Sequence, residues 1–150
     1  MDIRITRQDL CFTLRAAALI MQDDRLLMVK DTQHDSYYTV GGKVHLGEDT
    51  QQAILREVKE ETGCTLDIDR LVFVQERFFT FQEKNHHEIC FYYLMKTNDP
   101  LPALLHTDQD FETMHWLKIC DLPHMRIVPA FLKNALQPLP QQTRHIICRE

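Results

Sequence analysis

The sequence lacks the features that mark membrane-spanning and secreted chains. Its longest uninterrupted apolar run is the short segment Ile89–Met95, whereas a membrane-spanning helix needs about 20 such residues. The first residues, MDIRITRQDL, alternate charged and apolar side chains and contain no hydrophobic stretch of the signal-peptide type. We therefore expect a cytoplasmic protein without a membrane partner.

Basic residues are too few for a general nucleic-acid binder. There are 17 Lys and Arg residues against 22 Asp and Glu residues, which gives a formal net charge of −5. Nonspecific binding to DNA or RNA depends on a basic surface, so we expect no nucleic acid polymer as a partner. A small nucleotide ligand is still allowed, because a bound metal ion can reverse the local charge.

Closely spaced cysteines are also absent. The five cysteines are widely separated and form no CxxC pair, which favours free thiols in a reducing compartment over disulfides. Cys120 and His124 alone cannot make a zinc site, since two further ligands at a recognisable spacing are missing. The cysteine pattern therefore indicates neither a disulfide scaffold nor a structural metal.

Glycine and proline are scarce and unevenly placed. All four glycines lie between Gly41 and Gly63, and all six prolines lie between Pro100 and Pro140. There is no repeat and no Gly/Ser-rich linker, and the length suits one domain, so we expect a single domain over residues 1–150. Hydrophobic residues make up 44% of the chain, which is an ordinary globular balance.

Hydrophobic patterning predicts an α/β protein. Stretches rich in β-branched and aromatic residues precede and follow one amphipathic helix, and a second helix is expected near the end, which favours an α/β sandwich with a mixed sheet. Residues 98–109 are expected to form a loop, and 141–150 receive no assignment. The predicted strands are 13–21, 25–30, 37–40, 71–81, 87–96 and 114–119, and the predicted helices are 48–62 and 128–136.

The first predicted helix carries an unusual cluster of acidic residues. Glu57, Glu60 and Glu61 stand at positions i, i+3 and i+4, which share one face of a helix and repel one another. Hard cations such as Mg²⁺ take carboxylate oxygens, water and substrate phosphates as ligands, and the preceding glycines allow close approach of the backbone. The pattern therefore indicates a divalent-metal site, with a solvated Glu/Lys face as the alternative.

The spacing around this cluster resembles the Nudix box, G-x5-E-x7-R-E-U-x-E-E-x-G-U, in which U is a bulky apolar residue. The resemblance covers residues 42–64 and is specific, because eight positions match at fixed spacing. Cys64 takes the last U position, where Ile, Leu or Val is usual. The matching residues are Gly42, Glu48, Arg56, Glu57, Val58, Glu60, Glu61 and Gly63.

The resemblance implies a MutT-like Nudix hydrolase, of the bacterial type, which cleaves a nucleoside diphosphate linked to another moiety and uses Mg²⁺ or Mn²⁺. It implies an α/β/α sandwich in which the box forms a loop–helix–loop. Glu57, Glu60 and Glu61 would then be metal ligands and, with Arg56 orienting a glutamate, the catalytic set. The Gly42 carbonyl would be an additional ligand.

The substrate and the general base stay open at this point. In the family the base is a box glutamate, here Glu57, or an acid elsewhere. Motifs of several known subfamilies are absent: ADP-ribose enzymes, for example, usually carry Pro where Phe79 stands. A nucleoside triphosphate or a small nucleotide derivative remains. The candidate extra acids are Glu48, Asp110 and Glu112, with Glu76, Glu83 and Glu88 also open. The candidate substrate contacts are Tyr37, Tyr38, Lys43 and Phe79; a place in the core is favoured for most of the aromatic residues, and Tyr37 and Tyr38 are the preferred contacts among them.

Two rival functions share the same motif. A Nudix-fold module could bind and sense a nucleotide without cleaving it, but such modules tend to lose box glutamates or to carry a DNA-binding domain. An isomerase of isoprenoid diphosphates would need further catalytic Cys and Glu residues, and nothing marks Cys90 or Cys120 for that role. A small-molecule nucleotide is the expected partner, and a homodimer is a further expectation from the resemblance.

Overall fold

The computed structural model describes residues 1–97, 101 and 111–150. Within this part of the chain, a mixed β-sheet is packed against helical segments on both faces. The strands are β1 Arg4–Arg7, β2 Leu10–Leu19, β3 Met21–Gln22, β4 Arg25–Asp31, β5 Ser36–Lys43, β6 Ile68–Phe81, β7 Lys84–Met95, β8 Glu112–Lys118 and β9 Arg144–Arg149. The helices are α1 Thr50–Thr62 and α2 Leu132–Ala135, and a 3-10 helix spans Ile119–His124.

Strand β2 is the centre of the sheet. It pairs parallel with β7 along its whole length and antiparallel with β5 through residues 15–18. The order across the sheet is β3-β4-β5-β2-β7-β6-β9, while β1 pairs with β2 and β8 pairs with β4. This arrangement places the end of β5, where the glycines lie, directly beside the middle of β2.

The two faces of the sheet have separate hydrophobic clusters. On one face, Ala53, Ile54 and Val58 of α1 pack against β2 and β5. On the other face, the 3-10 helix and α2 contribute Leu122 and Leu132 to a cluster that includes Phe73. The predicted α/β sandwich with a mixed sheet is therefore confirmed.

Helix α1 begins two residues later than the pattern predicts. Asp49 is the N-cap: its carboxylate accepts a hydrogen bond from the Gln52 backbone N–H at 2.8 Å, and the Gln52 side chain accepts one from the Asp49 N–H at 2.9 Å. This reciprocal capping box satisfies two donors that no helical bond can reach. The helix ends at Gly63, whose φ of 74° is a left-handed conformation that glycine adopts without steric cost.

The long hairpin of β6 and β7 has a tighter turn than the polar run 82–86 indicates. Gln82 and Glu83 have φ values of 50° and 62° and alone connect the two strands. Two consecutive residues with positive φ fit a two-residue turn that matches the twist of an antiparallel pair. The strands are therefore longer than predicted, and His86 lies in β7.

The predicted helix over 128–136 is wrong for most of its length. Only Leu132–Ala135 is α-helical. The Tyr37 N–H donates to the Arg126 carbonyl, and the Val128 N–H donates to the Tyr37 carbonyl, each at 2.9 Å. Pairing with the start of β5 therefore holds the first part of the segment extended, which local helical preference cannot anticipate.

The segment 144–149 forms strand β9, which pairs parallel with β6 and lies at the edge of the sheet as far as the described residues show. The sequence alone left this segment unassigned. The predicted loop over 98–109 falls almost entirely outside the described residues. Among the described residues, no helix has both the length and the apolar character needed to cross a membrane.

The capping box makes a testable contribution to stability. We expect Asp49→Ala to destabilise the protein by about 1 kcal/mol because an N-cap acceptor is lost, which lowers the melting temperature by about 2–4 °C for a chain of this size. Gln51→Ala, at an exposed position of the same helix, should leave the melting temperature nearly unchanged. Thermal unfolding followed by circular dichroism compares the two, and equal effects would contradict the capping role.

Candidate active site

The site is built where the glycines at the end of β5 meet the acidic helix α1. A Cβ atom on Gly41 would lie 2.4 Å from the Ala16 carbonyl oxygen, so only glycine allows β5 to lie this close to β2. A Cβ atom on Gly42 would lie 2.4 Å from the Glu57 carboxylate. The backbone at Gly42 and the carboxylate of Glu57 are therefore in direct contact.

Arg56 is the hydrogen-bonding centre of the motif. Its Nε and Nη2 atoms donate to the two oxygens of Glu48 at 2.8 and 3.0 Å, and Nη1 donates to Glu57 at 2.7 Å. Nη2 also donates to the Lys43 carbonyl at 3.1 Å. The guanidinium thus connects the loop after β5, the start of α1 and the acidic cluster, as a bidentate donor of fixed geometry can.

Glu48 is held in its ionised form by these contacts. The hydrogen bonds from Arg56 lower the pKa of Glu48 to about 2, and the backbone N–H of His45, which donates to its carboxylate at 2.8 Å, contributes further. This carboxylate lies at the entrance of α1, just before the N-cap. Glu48 therefore holds the Arg56 guanidinium in position through two hydrogen bonds.

The pKa of Glu61 is shifted in the opposite direction to that of Glu48. Burial raises its pKa to about 8, and the negative charges of Glu57 and Glu112 act in the same direction. The Gly41 N–H donates to its carboxylate at 3.0 Å and opposes the shift only in part. Burial and the neighbouring carboxylates therefore disfavour the charged form of Glu61.

The acidic residues of α1 include two that fit a divalent metal together with the glycine backbone. Within the described ranges, no three His, Cys, Asp or Glu side chains are already arranged around a common metal position. Glu60 is 53% exposed and accepts from Arg56 at 3.2 Å. Glu57 and Glu61 both lie against the Gly41–Gly42 backbone. Two carboxylates beside a glycine carbonyl fit a hard cation that completes its shell with water and phosphate oxygens.

A cleft of about 900 Å³ extends from these residues across the sheet. Arg15 of β2 and Glu88 of β7 lie on its floor, with Arg15 Nε 3.9 Å from a Glu88 carboxylate oxygen. Arg77 of β6 continues the row and donates to the Glu150 carboxylate at 2.8 and 3.1 Å. The floor therefore offers alternating guanidinium and carboxylate groups to a ligand.

Glu112 and Tyr38, both predicted, are brought together on the wall of the cleft. The Tyr38 hydroxyl donates a short hydrogen bond to the Glu112 carboxylate. Burial and this bond raise the pKa of Tyr38 well above its usual range. Glu112 thus lies close enough to Glu61 to affect its ionisation, although the two residues come from distant parts of the chain.

The other predicted substrate contacts lie in different surroundings. Phe79 lines the cleft, but one face of its ring carries the Arg77 guanidinium at 4.0 Å and it stacks on the His86 ring at 4.8 Å. Lys43 lines the cleft and also lies 3.3 Å from Asp2. Tyr37 packs beside the hydrophobic cluster of the second face rather than in the cleft. Asp110 lies outside the described residues.

Sequence reasoning missed Arg15 and Arg77 as cleft residues. Arg15 interrupts an apolar strand, and an unpaired charge in a buried strand is costly, so this interruption was a usable signal. Arg77 lacked any such signal, because alternating polar residues are ordinary on a half-exposed strand. Glu150 reaches the cleft only through the pairing of β9 with β6.

A family model for the NUDIX domain matches residues 12–137 of this chain. The chain belongs to the NUDIX family. The match covers strands β3 to β8, most of β2, the box and the second-face helices, and it leaves out β1 and β9. The resemblance found from the box residues is thereby confirmed.

Two curated relatives share part of this Nudix chain. "Putative nudix hydrolase 1" of Caenorhabditis elegans is 30% identical over 71% of this chain and 29% of its own length. The human protein "8-oxo-dGDP phosphatase NUDT18" is 36% identical over 47% of this chain and 23% of its own length. This chain therefore spans less than a third of the length of these relatives.

Solved structures show the same fold. A MutT protein from Bacillus halodurans superposes with a TM-score of 0.66 at 15% identity and covers 89% of each chain. A MutT NUDIX hydrolase from Burkholderia pseudomallei has a TM-score of 0.59 at 22% identity, covering 72% of this chain and 84% of its own. At these identities the likeness concerns the fold.

The two adjacent glycines should respond differently to the same substitution. Gly41→Ala places a Cβ against the rigid backbone of Ala16, and we expect a loss of about 1–3 kcal/mol, as in overpacked cores. Gly42→Ala meets only the flexible end of Glu57, so stability should change much less. Chemical denaturation measures both variants, and a larger loss for Gly42→Ala would contradict this geometry.

The Glu48–Arg56 pair should make stability depend on acid pH. The pKa of Glu48 is about 2 in the folded chain, against an ordinary value of 4.5 for a glutamate in the unfolded chain. The resulting stabilisation is complete above about pH 4.5 and is lost as the pH falls towards about 2. Glu48→Gln should therefore be less stable than the parent at pH 7, with a difference that shrinks below pH 4.5.

Urea unfolding at pH 7 and in the acid range tests this expectation. Glu83→Gln, at the exposed turn between β6 and β7, is the matched carboxylate control and should follow the parent at both pH values. A deficit of Glu48→Gln that stays constant with pH would show that the ion pair is not its cause.

Proposed function

We propose that this Nudix chain is a pyrophosphohydrolase that requires Mg²⁺ or Mn²⁺ and cleaves a diphosphate bond in a nucleoside triphosphate or a nucleoside diphosphate derivative. The observation that carries the proposal is the placement of Glu57 and Glu61 against the Gly41–Gly42 backbone. This cluster opens into a cleft of about 900 Å³, which is within the usual size of ligand sites.

Glu57 and Glu61, with the Gly42 carbonyl and the more exposed Glu60, would hold the metal ion. When bound, such an ion neutralises phosphate charge and lowers the pKa of coordinated water. Arg56 fixes the Glu57 carboxylate through the 2.7 Å hydrogen bond. Arg56 is itself fixed by Glu48, so the side chains are positioned before substrate arrives, which is what phosphoryl transfer chiefly needs.

Two groups are placed to accept a proton from the attacking water. Glu57 lies within the box, next to the backbone at Gly42. Glu112 lies across the cleft and accepts the Tyr38 hydroxyl, so Tyr38 would keep this carboxylate oriented towards Glu61. A general base must lie within hydrogen-bond reach of the proton that it removes; Glu57 belongs to the acidic cluster itself, and Glu112 lies close enough to Glu61 to affect its ionisation.

We further propose an oxidised guanine nucleotide as a substrate to test first. The human relative is named for action on 8-oxo-dGDP. The cleft floor supports this choice, because Arg15 and Glu88 present a donor and an acceptor side by side. Guanidinium groups bind the O6 acceptor of guanine in other settings. In the oxidised base N7 carries a hydrogen and donates, and a carboxylate can accept this N–H or the ring and amino N–H groups at N1 and N2.

Glu57→Gln and Glu61→Gln should each reduce metal-dependent turnover by about 100-fold or more, because each removes a carboxylate ligand of the proposed metal ion. Circular dichroism should show that both variants remain folded. The assay incubates the protein with Mg²⁺ or Mn²⁺ and a panel of nucleoside triphosphates, 8-oxo-dGDP, dinucleotides, nucleotide sugars and capped RNA, and measures released phosphate and pyrophosphate.

Glu83→Gln serves as the control, since this exposed turn residue lies on the hairpin tip, outside the acidic cluster. Near-native turnover of Glu57→Gln at saturating Mg²⁺ would remove Glu57 from the proposed set. The alternative function is a nucleotide-binding module without catalysis, which the intact set of box acids disfavours. Nucleotide binding by calorimetry with no turnover for any substrate would favour that alternative.

A further inference from the structure

Strand β9 presents an open edge of the sheet. It pairs with β6 on one side, and among the described residues no strand pairs with its other side. An exposed strand edge is a template for pairing with another strand, and proteins that avoid such pairing commonly place Pro, Lys or a bulge there. The segment Arg144–Arg149 contains no Pro and no Lys, its two arginines stand at its ends, and its register against β6 is regular.

Only every second residue of β9 directs its backbone N–H and C=O groups towards the open edge. The Glu150 N–H donates to the Phe78 carbonyl at 2.8 Å, so the even-numbered residues direct their backbone groups towards β6. Successive residues of a strand direct these groups to opposite sides. The N–H and C=O groups of His145, Ile147 and Arg149 therefore point outwards, away from the sheet.

A second copy of β9 would match this edge in one antiparallel register. With the two copies of Ile147 facing each other on a two-fold axis, His145 of one copy stands opposite Arg149 of the other. Facing residues of this kind exchange both N–H and C=O bonds in an antiparallel ladder. All three outward donors and acceptors of each copy would then be paired.

The side chains fit the same register. Ile147 is 59% exposed and would meet its own copy, while Ile146 would face Cys148. At both ends, Arg144 of one copy would stand opposite Glu150 of the other, so unlike charges flank an apolar centre. Cross-strand pairs of this kind stabilise a sheet, whereas like charges in the same positions destabilise it.

The same register brings His145 of one copy close to Arg149 of the other, and each of these side chains already has a contact within its own copy. His145 would lie beside Arg149 of the other copy, but His145 Nε2 lies 2.9 Å from a Glu76 carboxylate oxygen. The Arg149 guanidinium is likewise placed over the Phe78 ring at 4.2 Å. Both side chains therefore have a partner in their own chain.

We propose that two copies of this chain associate through antiparallel pairing of β9, centred on Ile147, so that the two sheets become continuous. The contact is short and gives a concentration-dependent dimer, since small interfaces bind weakly. Glu150 lines the cleft and binds Arg77, so the contact lies beside the proposed active site. Dimer formation is detected as an increase in molecular mass, so its test does not depend on whether the chain hydrolyses nucleotides.

Sedimentation velocity between about 1 and 300 µM measures the association of the 17.8 kDa chain. The parent should approach twice the monomer mass as its concentration rises. Ile147→Lys should raise the dissociation constant by about tenfold or more, because two ammonium groups would meet on the axis. Ile5→Lys is the matched control, since Ile5 lies on β1 and is 64% exposed; it should associate like the parent.

A charge exchange tests the register itself. Arg144→Glu and Glu150→Arg should each weaken self-association, because each places like charges at both ends of the paired strands. A mixture of the two variants should form a heterodimer, since both ends then carry opposite charges. A parent that stays monomeric throughout, or a mixture that associates no better than the separate variants, would overturn the proposal. Circular dichroism of each variant confirms that the fold is retained.

Discussion

The arrangement of the site depends on the guanidinium of Arg56. It binds Glu48 before the helix, Glu57 on the helix and the Lys43 carbonyl at the end of β5. Removing one partner from a partly buried charge network leaves the others unsatisfied, which costs more than the bond itself contributes. The loop, the helix and the acidic cluster are therefore fixed relative to one another by a single side chain.

The Arg56 network also depends on how closely the β5 backbone lies to strand β2 and to the Glu57 side chain of α1. Gly41 lies against the Ala16 carbonyl, and the neighbouring Gly42 contacts the Glu57 carboxylate. A side chain at the first position would separate β5 from β2, and one at the second would displace Glu57. Gly41 therefore allows β5 to lie close to β2, whereas Gly42 leaves space for the Glu57 carboxylate.

The cleft combines an acidic end with a floor of paired charges. Around Glu61, burial and neighbouring carboxylates leave negative charge poorly balanced, whereas Arg15 and Arg77 each lie beside a carboxylate partner. A ligand that carries a metal-bound diphosphate at one end and a hydrogen-bonding ring at the other matches this division. The charge distribution, more than the overall net charge of −5, decides what the surface can bind.

The sequence by itself determined the box, its helix and the identity of the acidic cluster, because these depend on spacing within one short segment. Gly63 as the helix end follows from local chemistry in the same way, whereas the start of the helix was predicted at residue 48 and the structure places the N-cap at Asp49. The tertiary structure alone decided that Glu112 meets Tyr38, that Arg15 and Arg77 line the cleft, and that residues 126–128 stay extended against Tyr37. It also decided that the segment 144–149 is a strand. These outcomes depend on pairing between distant strands, and pairing energy between segments far apart in sequence is not encoded in the periodicity of either one.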